Sequence, residues 1–477
     1  MQKEGFIIPV EKITKSLVQK LESKGVLTNL NANFKMTHLP LMSPTLLEIA
    51  IWNWDEELFN YLISRKVSLE GTTNGTVLHL AVHRCGTNGT NGTNLNIART
   101  LIALGVPINR RECLLHWTPL HLACYQGKLK MAELLIESGA NVDISNIYNI
   151  NNPEKNLGKQ PLHVAVEANQ VALVELLCRN GANVNAHALE HGTPLVHAVR
   201  LGKIEIVKVL IQGGADVNFL SKQCRIETDL LNYLPVKVFH LTALHLAVVK
   251  YQPRILKILL FHPMTNLNLV INNLTPLHFA VKCDFEALKL LLSAGADINV
   301  RTSNYRNIIE FCFDTWAKEG DTEKRERVCK LVIEHAAKLN VAGRYVLPEI
   351  AERSCSEFLE LCRLELERMK NIKICGGTLT VDKIFGCTHK LAMILDNNDF
   401  KFLMGEEVRN SFEIYGEVLQ WRAVKMYSRK KLLIGNNFDA VLNFLFEIVF
   451  QRLIPKKFVE KVLPFLSYCD LVEILKT

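Results

Sequence analysis

The sequence lacks the patterns of a membrane protein, a zinc protein or a secreted protein. None of its 477 residues lie in an apolar run of the roughly 18 residues that a membrane helix needs. Its 13 cysteines include no Cys-x-x-Cys pair and no Cys/His spacing of a zinc site. The N-terminus lacks the apolar region and cleavage site of a signal peptide. We therefore expect no membrane association and a cytoplasmic location, with the nucleus as the alternative.

Motifs of catalysis are also missing. The chain contains no Gly-x-Ser-x-Gly, no phosphate-binding P-loop and no His-Glu-x-x-His. Gly376-Gly377 is interpreted as the end of a helix, and the paired acids Glu406-Glu407 as surface charge. With 48% hydrophobic and 22% charged residues, the chain has the composition of a folded protein. The sequence predicts a protein that is not an enzyme, with no catalytic residues, no cofactor and no metal.

One stretch, from Trp117 to Asp143, sets the pattern for the front half of the chain. Thr118 and Pro119 suit a helix start, and an apolar stripe with His121 follows. Gly127 separates a second amphipathic helix, which Gly139 ends. This unit resembles an ankyrin repeat, which has a period of about 33 residues and a Thr-Pro-Leu-His signature.

Further copies can be aligned on the histidine position. Successive copies are 42, 42, 33, 49 and 33 residues apart, and the aligned residues are His79, His121, His163, Val196, His245 and His278. The excess residues are predicted to form loops at 85–93, 144–159 and 219–240, because those stretches are rich in Gly, Asn or Pro or lie between repeats. A degenerate first copy carries Glu48 in place of histidine, as expected where an end repeat faces water.

These patterns predict an all-α fold, an ankyrin-repeat solenoid followed by a small helical C-terminal domain. Residues 1–40 are expected to hold a capping helix, and residues 41–340 about seven or eight repeats with degenerate ends. Residues 341–477 are expected to form the C-terminal domain. Its first helix should carry an apolar stripe that ends at Gly376-Gly377.

The C-terminal stretch 454–477 is the second informative segment. Pro455 can open a helix and Asp470 can cap the next one, and together they present an apolar face that suits a partner helix. The alternative is a helix pair that packs on the preceding helices. The residues expected to dock a partner are Ile454, Pro455, Phe458, Val462, Leu463, Leu466, Asp470, Leu471 and Leu475.

The order and spacing of these residues resemble the start of an F-box, although Lys456 and Lys457 replace the usual acids and the chain ends early in the box. An F-box-like segment behind ankyrin repeats resembles the PRANC domain of poxviral ankyrin proteins and their relatives in parasitoid wasps and endosymbionts. The stretches 364–374 and 411–433 resemble the linker helix and the middle of that domain. The resemblance implies an adaptor that binds a target protein through its repeats and recruits a Skp-type linker and a cullin–RING ubiquitin ligase.

Two alternatives remain. The repeats alone would suffice for a stoichiometric inhibitor, similar to the ankyrin-containing IκB proteins that mask NF-κB. Residues 420–477 hold 10 Lys/Arg against 5 Asp/Glu, so nucleic acid is a further partner, ranked last. Target-binding residues are expected in the fingers, which are the loops that connect successive repeats, and in the insertions. Trp117 is expected to be either an exposed anchor or packed between adjacent fingers. The expected target-binding residues are Asn109, Arg110, Arg111, His116, Trp117, Tyr148 and His187.

Overall fold

The computed structural model divides the chain into two compact units, Met1–Arg225 and Ile226–Thr477. The residues it describes are 13–25, 27–31, 44–70, 75–84, 92–146, 158–188, 191–222, 240–271, 273–301, 307–309, 311–312, 322–341, 356–385 and 395–434. The predicted docking residues from Ile454 to Leu475 and the predicted target-binding residue Tyr148 lie outside the described residues.

The first unit is a stack of helix pairs behind one leading helix. In each pair the first helix packs on the first helix of the next pair, and the second helix on the second, so two layers of helices form. The core lies between the layers and is made of apolar side chains such as Leu120, Leu135 and Leu173. The helices are α1 Lys15–Ser23, α2 Leu46–Asn53, α3 Glu56–Ser64, α4 Val77–Arg84, α5 Gly92–Ala103, α6 Pro119–Tyr125, α7 Leu129–Glu137, α8 Pro161–Glu167, α9 Val171–Arg179, α10 Pro194–Arg200 and α11 Ile204–Gln212.

Local chemistry explains where these helices begin and end. Thr118 accepts a hydrogen bond from the backbone N–H of His121, and Pro119 occupies the first helical position, where its missing N–H costs nothing. Gly127 and Gly139 adopt φ of 74° and 91°, the left-handed conformation that turns the chain out of each helix. The loop predicted at 85–93 ends earlier than expected, because α5 already begins at Gly92.

The first repeat departs from the sequence interpretation in one respect. Glu48 does not face water, since it is only 1% exposed. Its carboxylate accepts from the Thr45 backbone N–H at 2.8 Å, and its own N–H donates to the Thr45 hydroxyl at 3.2 Å. Glutamate therefore replaces histidine because it closes a capping box at the start of α2.

Lys128 links two neighbouring repeats in the first unit. Its ammonium donates to the backbone carbonyls of Val82 and His83, both at 2.7 Å, and the residue is 5% exposed. These carbonyls lie in the last turn of α4, where a positive charge is favourable.

We expect Lys128→Met to destabilise the first unit by about 2 kcal/mol, because the carbonyls of the buried Val82 and of His83 lose a charged donor. Urea unfolding followed by circular dichroism measures the change, provided that the m-value stays constant. Lys130→Met is the matched control, since Lys130 is exposed on the following helix α7. Equal midpoints for the two variants would contradict this role of Lys128.

The second unit begins with two further repeat pairs and ends with a helical bundle. The pairs are α12 Ala243–Val249 with α13 Pro253–Phe261, and α14 Pro276–Cys283 with α15 Phe285–Ser293. The later helices are α16 Thr322–Val341, α17 Ser356–Lys370, α18 Asn397–Met404, α19 Glu406–Ser411 and α20 Gly416–Ile434. Helix α20 packs on both α13 and α15, and the Trp421 ring stacks on Phe261 with centroids 4.3 Å apart. The repeats and the bundle therefore share packed side chains in this unit.

A short hairpin corrects the predicted end of α17. The helix stops at Lys370, and strands β3 Lys373–Ile374 and β4 Leu379–Thr380 pair in antiparallel fashion. Gly376 and Gly377, which the sequence assigns to the helix end, lie in the connection with φ of 60° and 94°. This connection is a short 3-10 turn, Cys375–Gly377, and a second 3-10 helix, Val381–Phe385, follows β4.

The predicted fold class is confirmed. In the part of the chain that the structure describes, helices dominate, and the strand segments are each two residues long. Besides β3 and β4 they are β1 Ser221–Lys222 and β2 His240–Leu241. The bundle core is built by side chains that include Cys362, Phe400, Phe412 and Tyr415.

Candidate protein-binding surface

Buried histidines tie three repeats of the first unit each to the next one. In His121, Nδ1 accepts from the Thr118 backbone N–H at 3.2 Å, so the ring proton must lie on Nε2. Nε2 then donates to the carbonyl of Lys159, 3.1 Å away in the following finger. His79 reaches the Trp117 carbonyl at 2.9 Å and His163 the Gly192 carbonyl at 3.1 Å in the same way. The repeated histidine is therefore a neutral donor and acceptor that spaces the fingers.

Burial keeps these rings neutral. It lowers the pKa of His121 to about 4 and that of His163 to about 3, in each case because the charged ring would lose its hydration. The pKa of His79 is lowered for the same reason. His197, buried one place along in the next repeat, has its pKa lowered to about 2 by burial and by the Arg200 guanidinium. Such histidines are structural groups and are not poised for acid–base catalysis near neutral pH.

The fingers are also joined by a ladder of Asn and Asp side chains. The Asn109 side-chain oxygen accepts from the Asn141 backbone N–H at 2.9 Å, and Asp143 accepts from Asn183 at the same distance. Asn185 accepts from Asp216 at 2.8 Å one repeat further on. Each residue thus fixes the spacing between its own finger and the next one.

Several hydrogen bonds hold the finger at residues 109–117. Glu112 donates its backbone N–H to the Trp117 carbonyl at 2.8 Å and accepts the N–H groups of Leu114 and Leu115 at 3.1 and 2.6 Å. Arg111 Nε donates to the Ser145 carbonyl at 3.0 Å. These bonds hold the finger in the conformation that the structure shows.

A row of side-chain pairs follows the ends of the first helices in this unit. The row begins with the Trp117 and Tyr125 rings, whose centroids are 5.1 Å apart. In the next repeat Lys159 and Glu167 form an ion pair at 2.6 Å. In the repeat after that, Arg200 donates to Nδ1 of His191 at 2.7 Å. The pairs therefore change from aromatic to charged along the unit.

The structure brings several predicted target-binding residues together. Asn109, Arg110, Arg111, His116 and Trp117 all belong to the finger at residues 109–117, and Arg110 and His116 are exposed. Asn109 and Arg111 also bond to the neighbouring finger, so they support the surface as well as lining it. Trp117 is half-buried against Tyr125, and Tyr125 is 52% exposed.

One predicted residue, His187, does not belong to this finger. His187 is half-buried in a later finger, and the centroid of its ring lies 6.3 Å from that of the Phe219 ring. Tyr148 lies outside the described residues. Leu114 and Leu115 belong to the same finger as Trp117, yet the repeat pattern does not single them out. The available signal was a pair of bulky apolar residues in a finger, where polar residues are usual.

The described residues hold no group of three or more His, Cys, Asp or Glu side chains that could bind a metal ion. Within the same residues, the helices are all too short or too polar to cross a membrane. The cysteines that the structure describes are free thiols, and burial raises the pKa of Cys124 and Cys312, as it does for inert core thiols.

Comparison with known proteins agrees with this geometry. A family model described as ankyrin repeats in three copies matches residues 46–146, 145–221 and 219–302. An ankyrin repeat protein of fowlpox virus (strain NVSL), FPV245, is 25% identical over 170 residues, 31% of this chain and 37% of the viral protein. Protein phosphatase 1 regulatory subunit 27 of Mus musculus is 35% identical over 91 residues, 19% of this chain and 54% of that protein.

The chain therefore spans about half or less of the length of these curated relatives. Among solved structures, the human ASB11 ankyrin repeat domain matches with 22% identity and a TM-score of 0.38, over 53% of this chain and 96% of that domain. The family model covers more than half of the 477 residues, and the helix pairs, capped helix starts and bonded fingers agree with it. The chain belongs to the ankyrin-repeat family.

Proposed function

We propose that this chain is a non-enzymatic adaptor that binds a target protein through its ankyrin repeats and recruits a cullin–RING ubiquitin ligase through residues 454–477. Ankyrin repeats have a protein-binding role, and the bonded finger at residues 109–117 supports that half of the proposal. The proposal retains residues 1–40 as a cap, 41–340 as repeats and 341–477 as a PRANC-like domain.

The ligase half is supported by the sequence alone. The observation that carries it is the gapless order of Pro455, Phe458, Leu463, Leu466 and Asp470 behind an ankyrin array, which resembles an F-box. Tethering would raise the local concentration of the target near the ligase-bound ubiquitin, and the chain itself would perform no bond chemistry.

Affinity purification from cells that express the chain tests this proposal. We expect the intact chain to bring down a Skp-type linker and a cullin, measured by quantitative mass spectrometry. Recovery should fall to background when residues 454–477 are deleted, or when Leu463 and Leu466 are both changed to Asp, because a buried charge is costly in an apolar interface. Leu364→Ser is the matched control, since Leu364 is an exposed leucine on α17, outside that segment.

The proposal fails if the intact chain recovers neither linker nor cullin, or if both remain after residues 454–477 are deleted. The alternative function is a stoichiometric inhibitor similar to the IκB proteins. It is favoured by one observation, that the described binding features belong to repeats and require no second partner. An inhibitor would retain its full cellular effect after deletion of 454–477.

A further inference from the structure

Two adjacent leucines stand out on the finger of residues 109–117. Leu114 is 70% exposed and Leu115 is 54% exposed, and Leu114 is the most exposed large apolar residue in the part of the chain that the structure describes. Burial of a leucine side chain stabilises a protein by about 1.5–3 kcal/mol, so these two contribute little of that to the fold. Together with His116 they form the finger tip, residues 114–116.

Hydrogen bonds hold the finger tip although it is exposed. The Glu112 carboxylate accepts both leucine N–H groups, and the Asn146 side chain donates to the Leu115 carbonyl at 3.2 Å. His116 adopts φ of 54°, a left-handed conformation that a non-glycine residue keeps only where its surroundings hold it. Because the leucines are already ordered, a partner would lose little conformational entropy in binding them.

Charge around the finger tip is basic on the outside. The acidic side chain, Glu112, accepts hydrogen bonds from amides within the loop, so its charge is directed inward. Arg110 is exposed at the base of the finger, and Arg111 is half-buried beside it. A partner surface that receives the leucines would therefore meet positive charge at its edge.

We infer that Leu114 and Leu115 form the anchor through which the first unit binds its target, and that the anchor enters an apolar pocket with an acidic rim on a protein. This inference rests on the target-binding half of the proposed function. Two apolar anchors on a preorganised loop, with charge at the rim, match the anatomy of an interaction hot spot. Glu112 acts as a positioning residue, since it orders the anchor through backbone bonds.

The test uses the full chain, immobilised, and a displayed library of random linear peptides as the probe. The enriched peptides are expected to combine bulky apolar residues with flanking Asp or Glu. Their affinity should fall by about thirtyfold for the double variant Leu114→Ser with Leu115→Ser, the loss typical of a hot spot. Arg110→Glu should weaken the same peptides by several-fold, more strongly at low salt than at high salt.

Matched controls separate the anchor from general stickiness and from misfolding. Leu104→Ser and Leu201→Ser replace other exposed leucines of the first unit, 46% and 40% exposed, and should leave peptide affinity unchanged. Circular dichroism should show that the double variant is folded, because its leucines are exposed. Glu112→Ala retains the leucines but loosens the finger tip, and should weaken binding by several-fold.

Three results would overturn the inference. Peptides could bind the double variant as tightly as the original chain, the enriched peptides could be basic, or no peptide could be enriched above the double variant. The first two would leave target binding by another surface intact. Recovery of linker and cullin through residues 454–477 is measured separately, so failure of the finger tip does not imply failure of the ligase half.

Discussion

Lowering the pH from about 7 to about 5 is expected to unfold the ankyrin helices, because below pH 6.5 their buried histidines stay neutral in the folded chain but become charged in the unfolded chain. Burial lowers the pKa of His121 to about 4, of His163 and His245 to about 3, and of His278 to about 4, from an ordinary value of 6.5. Below pH 6.5 the unfolded chain therefore binds more protons than the folded chain. Stability is complete above that pH and is lost as the pH falls toward the folded values.

The expected effect is large. Each histidine with a fully depressed pKa contributes a slope of up to about 1.4 kcal/mol per pH unit below 6.5. His121, His163 and His197 together give the first unit roughly 2–4 kcal/mol per pH unit, which is comparable with the whole stability of a domain within a few pH units. Urea midpoints measured across this range by circular dichroism would record the loss.

Single variants assign the slope to individual rings. His121→Gln should be less stable than the original chain at neutral pH, because the link to the Lys159 carbonyl is weakened. Its pH slope should be shallower by about 1 kcal/mol per pH unit, since one titrating group is gone. His116→Gln, at an exposed position, is the matched control. A stability that stays flat or rises on acidification would contradict buried neutral histidines.

Glu365→Ala is expected to unfold much of the helical bundle in the second unit. Glu365 is only 6% exposed. Its carboxylate accepts a hydrogen bond from the Ile414 backbone N–H at 3.0 Å and another from the Tyr415 backbone N–H at 2.9 Å. These amides precede α20, so the negative charge also lies at the positive end of a 19-residue helix. The variant loses the charged acceptor of both amides, of which that of Tyr415 is buried, for a cost of about 3–5 kcal/mol.

Hydrogen exchange read by mass spectrometry would locate this effect. Protection should fall in α17 and α20, whereas the first unit should keep its protection because Glu365 lies in the second unit. Glu365→Gln keeps an acceptor of the same size and should cost roughly half as much. Glu360→Ala is the matched control, since Glu360 is exposed on the same helix and forms an exposed ion pair with Arg363. An equally large loss of protection in Glu360→Ala would contradict the role of Glu365.

The repeat pattern was sufficient to predict most of the fold. A threonine, a proline and a histidine at fixed spacing specify a capped helix start at His121, and the histidine ring reaches the next finger. His79 and His163 reach the next finger in the same way, although Val77 replaces the proline in one repeat and Gln160 replaces the threonine in the other. Each part of the signature acts within a few residues of itself or on the adjacent repeat. Local sequence and nearest-neighbour packing therefore carry the information, as expected for a solenoid.

The features that the pattern did not predict depend on contacts outside its period. Glu48 is buried in a capping box, although an end repeat suggested a water-facing position. Gly376 and Gly377 lie in a hairpin connection, because β3 and β4 pair across them. Glu365 reaches amides 49 and 50 residues away. No periodic signal links such distant positions.

The finger tip shows a similar limit for the binding surface. Position within a finger suggested Asn109, Arg110, Arg111, His116 and Trp117, and the structure places them together. Exposure of the two neighbouring leucines could not be read from the pattern, because it depends on the bonds that Glu112 makes to their backbone. Apolar residues in a loop are ordinarily expected to be buried.

We expect a protein held by the repeats to be ubiquitylated when residues 454–477 are present, as the proposed adaptor requires. The most direct test measures, by quantitative proteomics, the cellular abundance of the proteins that co-purify with the repeats. Three chains are compared in the same cells: the intact chain, the chain lacking 454–477, and the Leu114→Ser, Leu115→Ser double variant. We predict that target abundance falls with the intact chain only and recovers when the proteasome is inhibited. Targets that stay bound at constant abundance, whether or not 454–477 is present, would contradict the adaptor and support the stoichiometric inhibitor.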